Sequence, residues 1–145
     1  MQGNDKLFPK DMLVGILLSL TKNSIIVYQS NETKIGYKVR TQSALRGGDS
    51  LLQGVKRSLL QQGIESKFKE RESKSRPHPI LMITGIKNLH VLSRFMIDSL
   101  PVPEKHFREN GITWHDYEIV LDMLMKGKQH TQMGLDNILR IKGDL

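Results

Sequence analysis

A nearly uninterrupted apolar run at residues 12–20, MLVGILLSL, limits the possible folds of this 145-residue chain more than any other segment. The run is too short to cross a bilayer, because a transmembrane helix needs about 20 residues. It ends abruptly in the polar sequence Thr-Lys-Asn-Ser. A helix that is apolar on every side must be buried on every side. The run therefore predicts a helix with protein partners all around it.

Two later segments, YKVRTQ at 37–42 and ESKFKERES at 65–73, alternate between two kinds of side chain. Such alternation predicts strands with one side in water and the other on a core. The polar positions are Lys38, Arg40 and Gln42 in the first segment, and Lys67, Lys69 and Arg71 in the second. Each segment has an apolar, β-branched neighbour, SIIVYQS at 24–30 and ILMITG at 80–85, so we predict two hairpins.

Helical spacing of apolar residues predicts further helices at about 51–60, 86–100, 114–126 and 132–141, with Thr113 and Thr131 as caps of the last two. The predicted order is helix, hairpin, helix, hairpin, helix and a helical tail. This order indicates an α+β fold in which a four-stranded antiparallel sheet packs one side on helices. We expect a single domain over residues 1–145, with its core at about 11–101 and the C-terminal helices at about 113–142.

The positive charge of the chain is concentrated in one window. Residues 34–76 contain eleven lysines and arginines and four acids, so they carry the whole net charge of +7. Such a concentration is typical of a surface that binds a polyanion. Rows of Lys, Arg and Gln side chains on a sheet contact phosphates and base edges. The alternative interpretation is a solvated face that only keeps the protein soluble.

Several kinds of site are excluded by composition and spacing. The chain has no cysteine, so it forms no disulfide, thiol nucleophile or cysteine-based metal site. Its five histidines show no metal-ligand spacing with supporting acids. We therefore predict no metal site, no cofactor and no membrane association.

The order of elements and three segments together resemble the LAGLIDADG homing endonuclease family. LVGILLSLT at 13–21 lies where the naming motif of the family is expected, with Gly15 matching its glycine and Ser19 its small residue. NSIIVYQ at 23–29 is similar to the first strand, and GKQHTQMGLDNILRI at 127–141 resembles a helical segment after the core of archaeal members. The resemblance covers nearly the whole chain and implies an αββαββα core with a C-terminal helical tail.

The departure from the family motif concerns catalysis. The catalytic carboxylate of the family occupies the eighth motif position, which is Leu20 here, and a shifted alignment places Lys22 there. Metal-dependent cleavage of a phosphodiester needs hard oxygen ligands, which neither side chain supplies. Asp11 lies at the other end of the helix, about 13 Å away. The resemblance therefore implies a member without catalytic residues, and we predict that the protein is not an enzyme.

The resemblance also implies dimerisation. The chain has one copy of the motif, so it is expected to pair with a second copy through an isologous interface. Gly15 and Ser19 are four residues apart and share one side of the helix, where small residues let two backbones approach closely. The predicted interface consists of Met12, Gly15, Ile16, Ser19 and Leu20. The alternative is a helix buried within one subunit.

These observations predict a non-catalytic, homodimeric double-stranded DNA-binding protein, cytoplasmic and nucleoid-associated, that regulates transcription or organises the chromosome. The predicted DNA contacts are Gln29, Lys38, Arg40, Gln42, Arg46, Lys67, Lys69 and Arg71. Two alternatives stay open, a nuclease that uses displaced acids and an RNA-binding splicing cofactor of the maturase kind. RNA readers stack bases on exposed aromatic side chains. We expect none on the basic strands, which favours DNA.

Overall fold

The computed structural model describes residues 7–100, 104, 107–108 and 111–144. Within these residues the α-helices are α1 Lys10–Leu20, α2 Asp49–Gln61, α3 Ile86–Ser99, α4 Trp114–Met125 and α5 Gln132–Lys142. The strands are β1 Lys22–Gln29, β2 Tyr37–Arg46, β3 Lys67–Lys69, β4 Ile80–Thr84, β5 Phe107–Arg108 and β6 Gly111–Ile112. The predicted α+β class and the αββαββα order with a helical tail are confirmed.

The described strands form one sheet in the spatial order β3-β4-β2-β1-β6-β5. The first hairpin is β1 with β2 and the second is β3 with β4, and both pairs are antiparallel. The hairpins join through β2 and β4, whose register runs from Gln42 opposite Thr84 to Arg46 opposite Ile80. Directly opposed residues point to the same side of a sheet. This register therefore fixes which side chains of the four strands share a surface.

The sheet has two strands, β5 and β6, that the predicted four-stranded sheet did not include. β6 runs parallel to β1 with Gly111 opposite Asn23, and β5 pairs antiparallel with β6. The side-chain amide of Asn23 donates to the carbonyl oxygen of Ile112 at 3.1 Å. Gly111 has a φ of 96°, and a Cβ there would lie 2.7 Å from the Asn23 carbonyl oxygen, so the position requires glycine. Two-residue strands are too short to show alternation, which is why the sequence did not predict them.

The alternation predicted for β2 and β3 is observed. Thr41, Ser43 and Leu45 of β2 are buried on the side of the core, and Ala44 is a small buried residue on the other side. The even-numbered positions of the alternation, Lys38, Arg40 and Gln42, lie on the other side of the sheet. In β3, Phe68 packs against the core, whereas Lys67 and Lys69 are exposed. One side of the sheet is thus buried and the other faces water.

The core lies between the buried side of the sheet and the helices. Leu45 of β2 and Ile83 of β4 are fully buried, as are Leu17 of α1, Leu52 of α2 and Leu89 of α3. Burying one such side chain contributes about 1.5–3 kcal/mol. The three helices therefore fix the position of the sheet, and their packing leaves its opposite side free for function.

The tail helices belong to the same core. Trp114 and Tyr117 of α4 are fully buried, with their rings edge to face at 6.5 Å. The Tyr117 hydroxyl donates to the carbonyl oxygen of Ser24 in β1 at 3.3 Å, and burial raises the pKa of Tyr117 above its ordinary value. The predicted caps are confirmed, because Thr113 and Thr131 each accept a hydrogen bond at 3.1 Å from the backbone N–H three residues later.

The sequence predicted that the apolar helix α1 has protein partners all around it. Within the subunit, only one side of α1 is buried. Leu13, Val14 and Leu17 are buried against the core. On the opposite side, 53% of Met12 and 38% of Leu20 are exposed. Among the described residues, no helix is long and apolar enough to cross a membrane.

Candidate nucleic-acid interface

The exposed side of the four antiparallel strands gathers side chains from both hairpins. Lys67 of β3 is opposite Met82 of β4, which is opposite Ala44 of β2, which is opposite Lys22 of β1. Neighbouring strands are about 4.8 Å apart, so the two lysines at the ends of this row are about 14 Å apart. The major groove of B-DNA is about 12 Å wide. A row of this length spans the groove from one phosphate backbone to the other.

The lysine, arginine and glutamine residues on this side form a surface that we name the basic face. It consists of Lys22, Lys38, Arg40, Gln42, Arg46, Lys67 and Lys69. Strands β1 to β4 place no acidic residue on this side. The basic face therefore presents several cations to water, with Ala44 and Met82 between the lysines at its two ends, and positive charge attracts a phosphate backbone.

The structure brings together six of the eight predicted DNA contacts and separates two. Gln29 is opposite Tyr37, so the alternation of β1 places it on the side of the sheet away from the basic face. Arg71 is exposed but lies beyond the end of β3, which stops at Lys69. The predicted strand was too long because its alternation continues into the turn.

The cations of the basic face differ in how firmly the protein holds them. The Arg40 guanidinium lies 6.0 Å from the centre of the Tyr28 ring. Lys38 forms an ion pair with Glu32, a carboxylate whose side chain is 75% exposed. Arg46 makes two bonds to the Glu72 carboxylate, at 2.6 Å from Nε to Oε1 and at 2.8 Å from Nη2 to Oε2. Exposed single pairs contribute little energy, whereas a two-bond arginine–carboxylate pair fixes geometry.

The pKa shifts follow these contacts. The hydrogen bond from Arg46 holds the pKa of the Glu72 carboxyl below its ordinary value, and the same bond raises the pKa of Arg46. The hydrogen bond from Lys38 likewise lowers the pKa of Glu32 and raises that of Lys38. All four groups are therefore charged near neutral pH, and each pair is maintained there.

The sequence analysis did not predict two residues that lie on this side of the sheet. Tyr28 is opposite Lys38 on the exposed side and is 42% exposed, so the expectation of no exposed aromatic side chain there is wrong. Lys22 is the first residue of β1 and completes the row that begins at Lys67. The segment SIIVYQ has no polar alternation that shows which residues share a side. Only the pairing with β2 reveals it.

Four of the five predicted dimer residues are exposed on α1, whereas the fifth, Ile16, packs partly against the core. The four exposed residues are Met12, Gly15, Ser19 and Leu20. A Cβ at Gly15 would have no atom of the described chain within 4 Å. None of these five residues is charged, but the exposed Asp11 lies one turn before Gly15 on the same side, where Gly15 leaves a notch that a second helix could approach closely.

The tip of α1 does not fit the metal site that the fold family implies. Leu20 is the last residue of α1, and its side chain has no oxygen or nitrogen to bind a cation. The described residues contain no group of three or more His, Asp or Glu side chains that could hold a metal ion. Asp11 lies in the first turn of the same helix, at the opposite end. The tip of α1 therefore offers no side-chain ligand to a metal ion.

Comparison with known proteins identifies the architecture. No protein-family model and no curated protein matches the chain. The solved structure of the homing endonuclease I-TnaI has a TM-score of 0.76 at 18% identity, over 97% of this chain and 89% of that one. The LAGLIDADG homing endonuclease I-LtrWI, bound to target DNA, has a TM-score of 0.76 at 18% identity, over 95% of this chain and 44% of that one.

An archaeal example is also similar. The intron-encoded homing endonuclease I-Vdi141I, complexed with DNA, has a TM-score of 0.72 at 13% identity, over 92% of this chain and 79% of that one. This chain thus spans most of the length of some neighbours and less than half of I-LtrWI.

The prediction that this protein is not an enzyme is contradicted by the comparison. The neighbours are homing endonucleases, and proteins of that name are nucleases. The prediction rested on one position, because leucine at Leu20 cannot ligate a metal. That observation excludes a ligand at the tip of α1 and does not exclude nuclease activity. What the comparison shows is the architecture: this chain has the LAGLIDADG homing endonuclease fold.

Proposed function

We propose that the protein binds double-stranded DNA with its basic face against the duplex. The observation that carries the proposal is the row from Lys67 to Lys22, in which the two hairpins place cations at both ends of a surface as wide as a major groove. Two neighbours with this fold are DNA complexes, which supports DNA binding by this protein.

Within the proposed complex, the two kinds of polar side chain have different tasks. Lys67 and Lys69 are exposed at the edge of the four strands and suit phosphates, which supply most of the affinity in any sequence. Arg40 and Gln42 lie nearer the middle of the sheet, on β2. Arginine and glutamine bond base edges with paired donors and acceptors, so we assign these two residues to sequence preference.

The proposed functional unit is a homodimer joined through α1. Exposed apolar side chains such as Met12 and Leu20 are removed from water when a second copy covers them. The fold of this chain accounts for 44% of the length of I-LtrWI, which leaves that chain room for a second such unit. Pairing of two copies supplies the second unit here. A duplex-binding dimer of this kind suits transcription regulation or chromosome organisation, at the nucleoid.

DNA strand cleavage is a second candidate function, favoured by the homing endonuclease neighbours. Since Leu20 offers no ligand, the acids for such a reaction would come from other positions of the chain. Incubating supercoiled plasmid with the protein and magnesium or manganese tests this function. Nicking that EDTA abolishes and that one Asp or Glu substitution removes supports it, and intact plasmid with both metals contradicts it.

The proposed binding is tested by selecting bound duplexes from a random DNA pool and then measuring their affinity with structured RNA as competitor. We expect saturable binding to duplex DNA that structured RNA displaces poorly. Tighter binding to the RNA would identify the splicing-cofactor alternative, for which the exposed ring of Tyr28 offers a stacking surface. Light scattering at micromolar concentration tests the dimer, and a monomeric mass would contradict it.

A further inference from the structure

One cation of the basic face is held in a fixed orientation before any partner binds. Arg46 ends β2, and its two bonds to Glu72 use Nε and one hydrogen of Nη2, which form one edge of the planar guanidinium. A guanidinium has five N–H donors in a rigid plane. The opposite edge, made by Nη1 and the second hydrogen of Nη2, therefore remains available. The Arg46 side chain is 43% exposed, so this edge is accessible from water.

The loop between β3 and β4 fixes Glu72 independently of Arg46. The backbone N–H of Glu72 donates to the carbonyl oxygen of His78 at 2.9 Å. The Lys69 ammonium donates to the carbonyl oxygen of Glu72 at 3.3 Å, and Arg76 Nη1 lies 3.6 Å from the carboxylate. Only 22% of the Glu72 side chain is exposed. The carboxylate is therefore a fixed support against which the arginine rests.

The free edge of Arg46 has the geometry that reads guanine. Two parallel N–H donors match the O6 and N7 acceptors on the major-groove edge of guanine, and this is the commonest specific arginine contact to DNA. A side chain whose rotamers are already restricted loses less entropy on making that contact. A carboxylate on the other edge does not compete with the base, since the two partners use different hydrogens.

We propose that Glu72 is a positioning residue that holds Arg46 ready to recognise one guanine in each half-site of the bound duplex. This inference rests on the proposed function, since it assumes that duplex DNA lies on the basic face. It assigns sequence preference to the end of β2 and gives the loop of the second hairpin a role in DNA recognition without contact to the DNA.

A matched control exists in the first hairpin. Glu32 also pairs with a cation of the basic face, Lys38, but its side chain is 75% exposed and lysine has no planar edge to orient. Removing the charge of Glu32 changes the net charge by the same amount as removing that of Glu72. A loss of base preference found for Glu72 and not for Glu32 is therefore not explained by the change in net charge.

The experiment compares the wild type with Glu72→Gln, Arg46→Lys and Glu32→Gln by selection from a random duplex pool, followed by affinity measurement on single-base variants. In the wild type we expect one guanine per half-site whose replacement weakens binding by roughly five- to 150-fold. Arg46→Lys should remove that preference, and Glu72→Gln should remove most of it while affinity for an unrelated duplex is unchanged or higher. Glu32→Gln should leave the preference intact.

Three results would separate the possible failures. Failure of the wild type to bind any duplex contradicts the proposed function, and the inference with it. If the wild type binds selectively and the Arg46→Lys variant keeps the guanine preference, the role of Arg46 is contradicted and the proposed function is not. A Glu72→Gln variant that binds every duplex more tightly with its base preference unchanged shows that Glu72 only competes with phosphate, which overturns the positioning role.

Discussion

The outward side of α1 and the basic face are both exposed, yet they have opposite chemistry. The outward side of α1 is mainly apolar, with one acid, Asp11, in its first turn, and Gly15 leaves space on the helix surface. The basic face has lysines at both ends of the row from Lys67 to Lys22 and further cations on β2 and β3. An apolar notch suits close packing with protein, whereas rows of cations suit a phosphate backbone. The difference indicates two partners, one for each surface.

The two surfaces meet at the tip of α1. The helix ends at Leu20 and β1 begins at Lys22, so the last dimer residue and the first residue of the basic face lie within about 7 Å along the chain. In the proposed dimer, pairing through α1 would place the basic faces of two copies side by side across a twofold axis. A single duplex then contacts both, and its affinity depends on the dimer.

The largest expected effect comes from filling the notch of α1. Gly15→Leu should prevent close approach of two helices and yield a monomer, or insoluble protein, because inserted bulk in a packed interface costs about 1–3 kcal/mol or more. Light scattering measures the mass, and DNA affinity should fall with it. Gln61→Leu places the same leucine side chain at an exposed position of α2 and is the control for an added apolar surface residue. A Gly15→Leu variant that remains a dimer with unchanged DNA affinity would remove α1 from the interface.

A smaller effect separates the two sides of the sheet. Gln42→Ala should relax the preference at particular base pairs by about 1–3 kcal/mol, since Gln42 is on the basic face. Gln29→Ala removes the same side chain from the opposite side and should change nothing. Affinities for single-base variants of a selected duplex measure both. Equal effects in the two variants would mean that the DNA does not lie where the register of β1 and β2 indicates.

The smallest effect tests whether α1 is covered at all. Alanine is about 0.5–1 kcal/mol better than glycine in an exposed helix. Gly15→Ala should therefore stabilise the dilute monomer, because no described atom is near its new Cβ, while weakening the dimer. Denaturant unfolding at two protein concentrations measures both terms. Stabilisation that is the same at both concentrations would show that α1 faces water.

The sequence predicted those elements whose pattern is long enough to read. β2 alternates over ten residues and each tail helix starts at a capping threonine, so both were found. β5 and β6 have two residues each and depend on Asn23 and Gly111, whose contacts are not local in sequence. The exposure of Tyr28 on the basic side of β1 was not predicted, because this strand does not alternate and only its pairing with β2 shows which side Tyr28 occupies.

The candidate site was predicted where it depends on alternation and not where it depends on single residues. Lys38, Lys67 and their neighbours share a surface because period-2 geometry is obligatory in a strand. The bond between Arg46 and Glu72 joins residues 26 positions apart across two hairpins, so no local pattern shows it. The prediction of no enzymatic activity failed because one missing carboxylate, at Leu20, was taken to decide the function of the whole fold.

The measurement that most directly tests the placement of DNA on the basic face is a salt titration of duplex DNA binding. It compares the wild type with Lys67→Ala/Lys69→Ala and with Lys126→Ala/Lys128→Ala, which removes the same charge at the exposed end of α4. The slope of log affinity against log salt should fall by about 0.9 for each phosphate that is no longer neutralised, or about 1.8 per subunit, in the first variant and little in the second. An unchanged slope and affinity in a folded Lys67→Ala/Lys69→Ala variant would contradict the placement of DNA on the basic face.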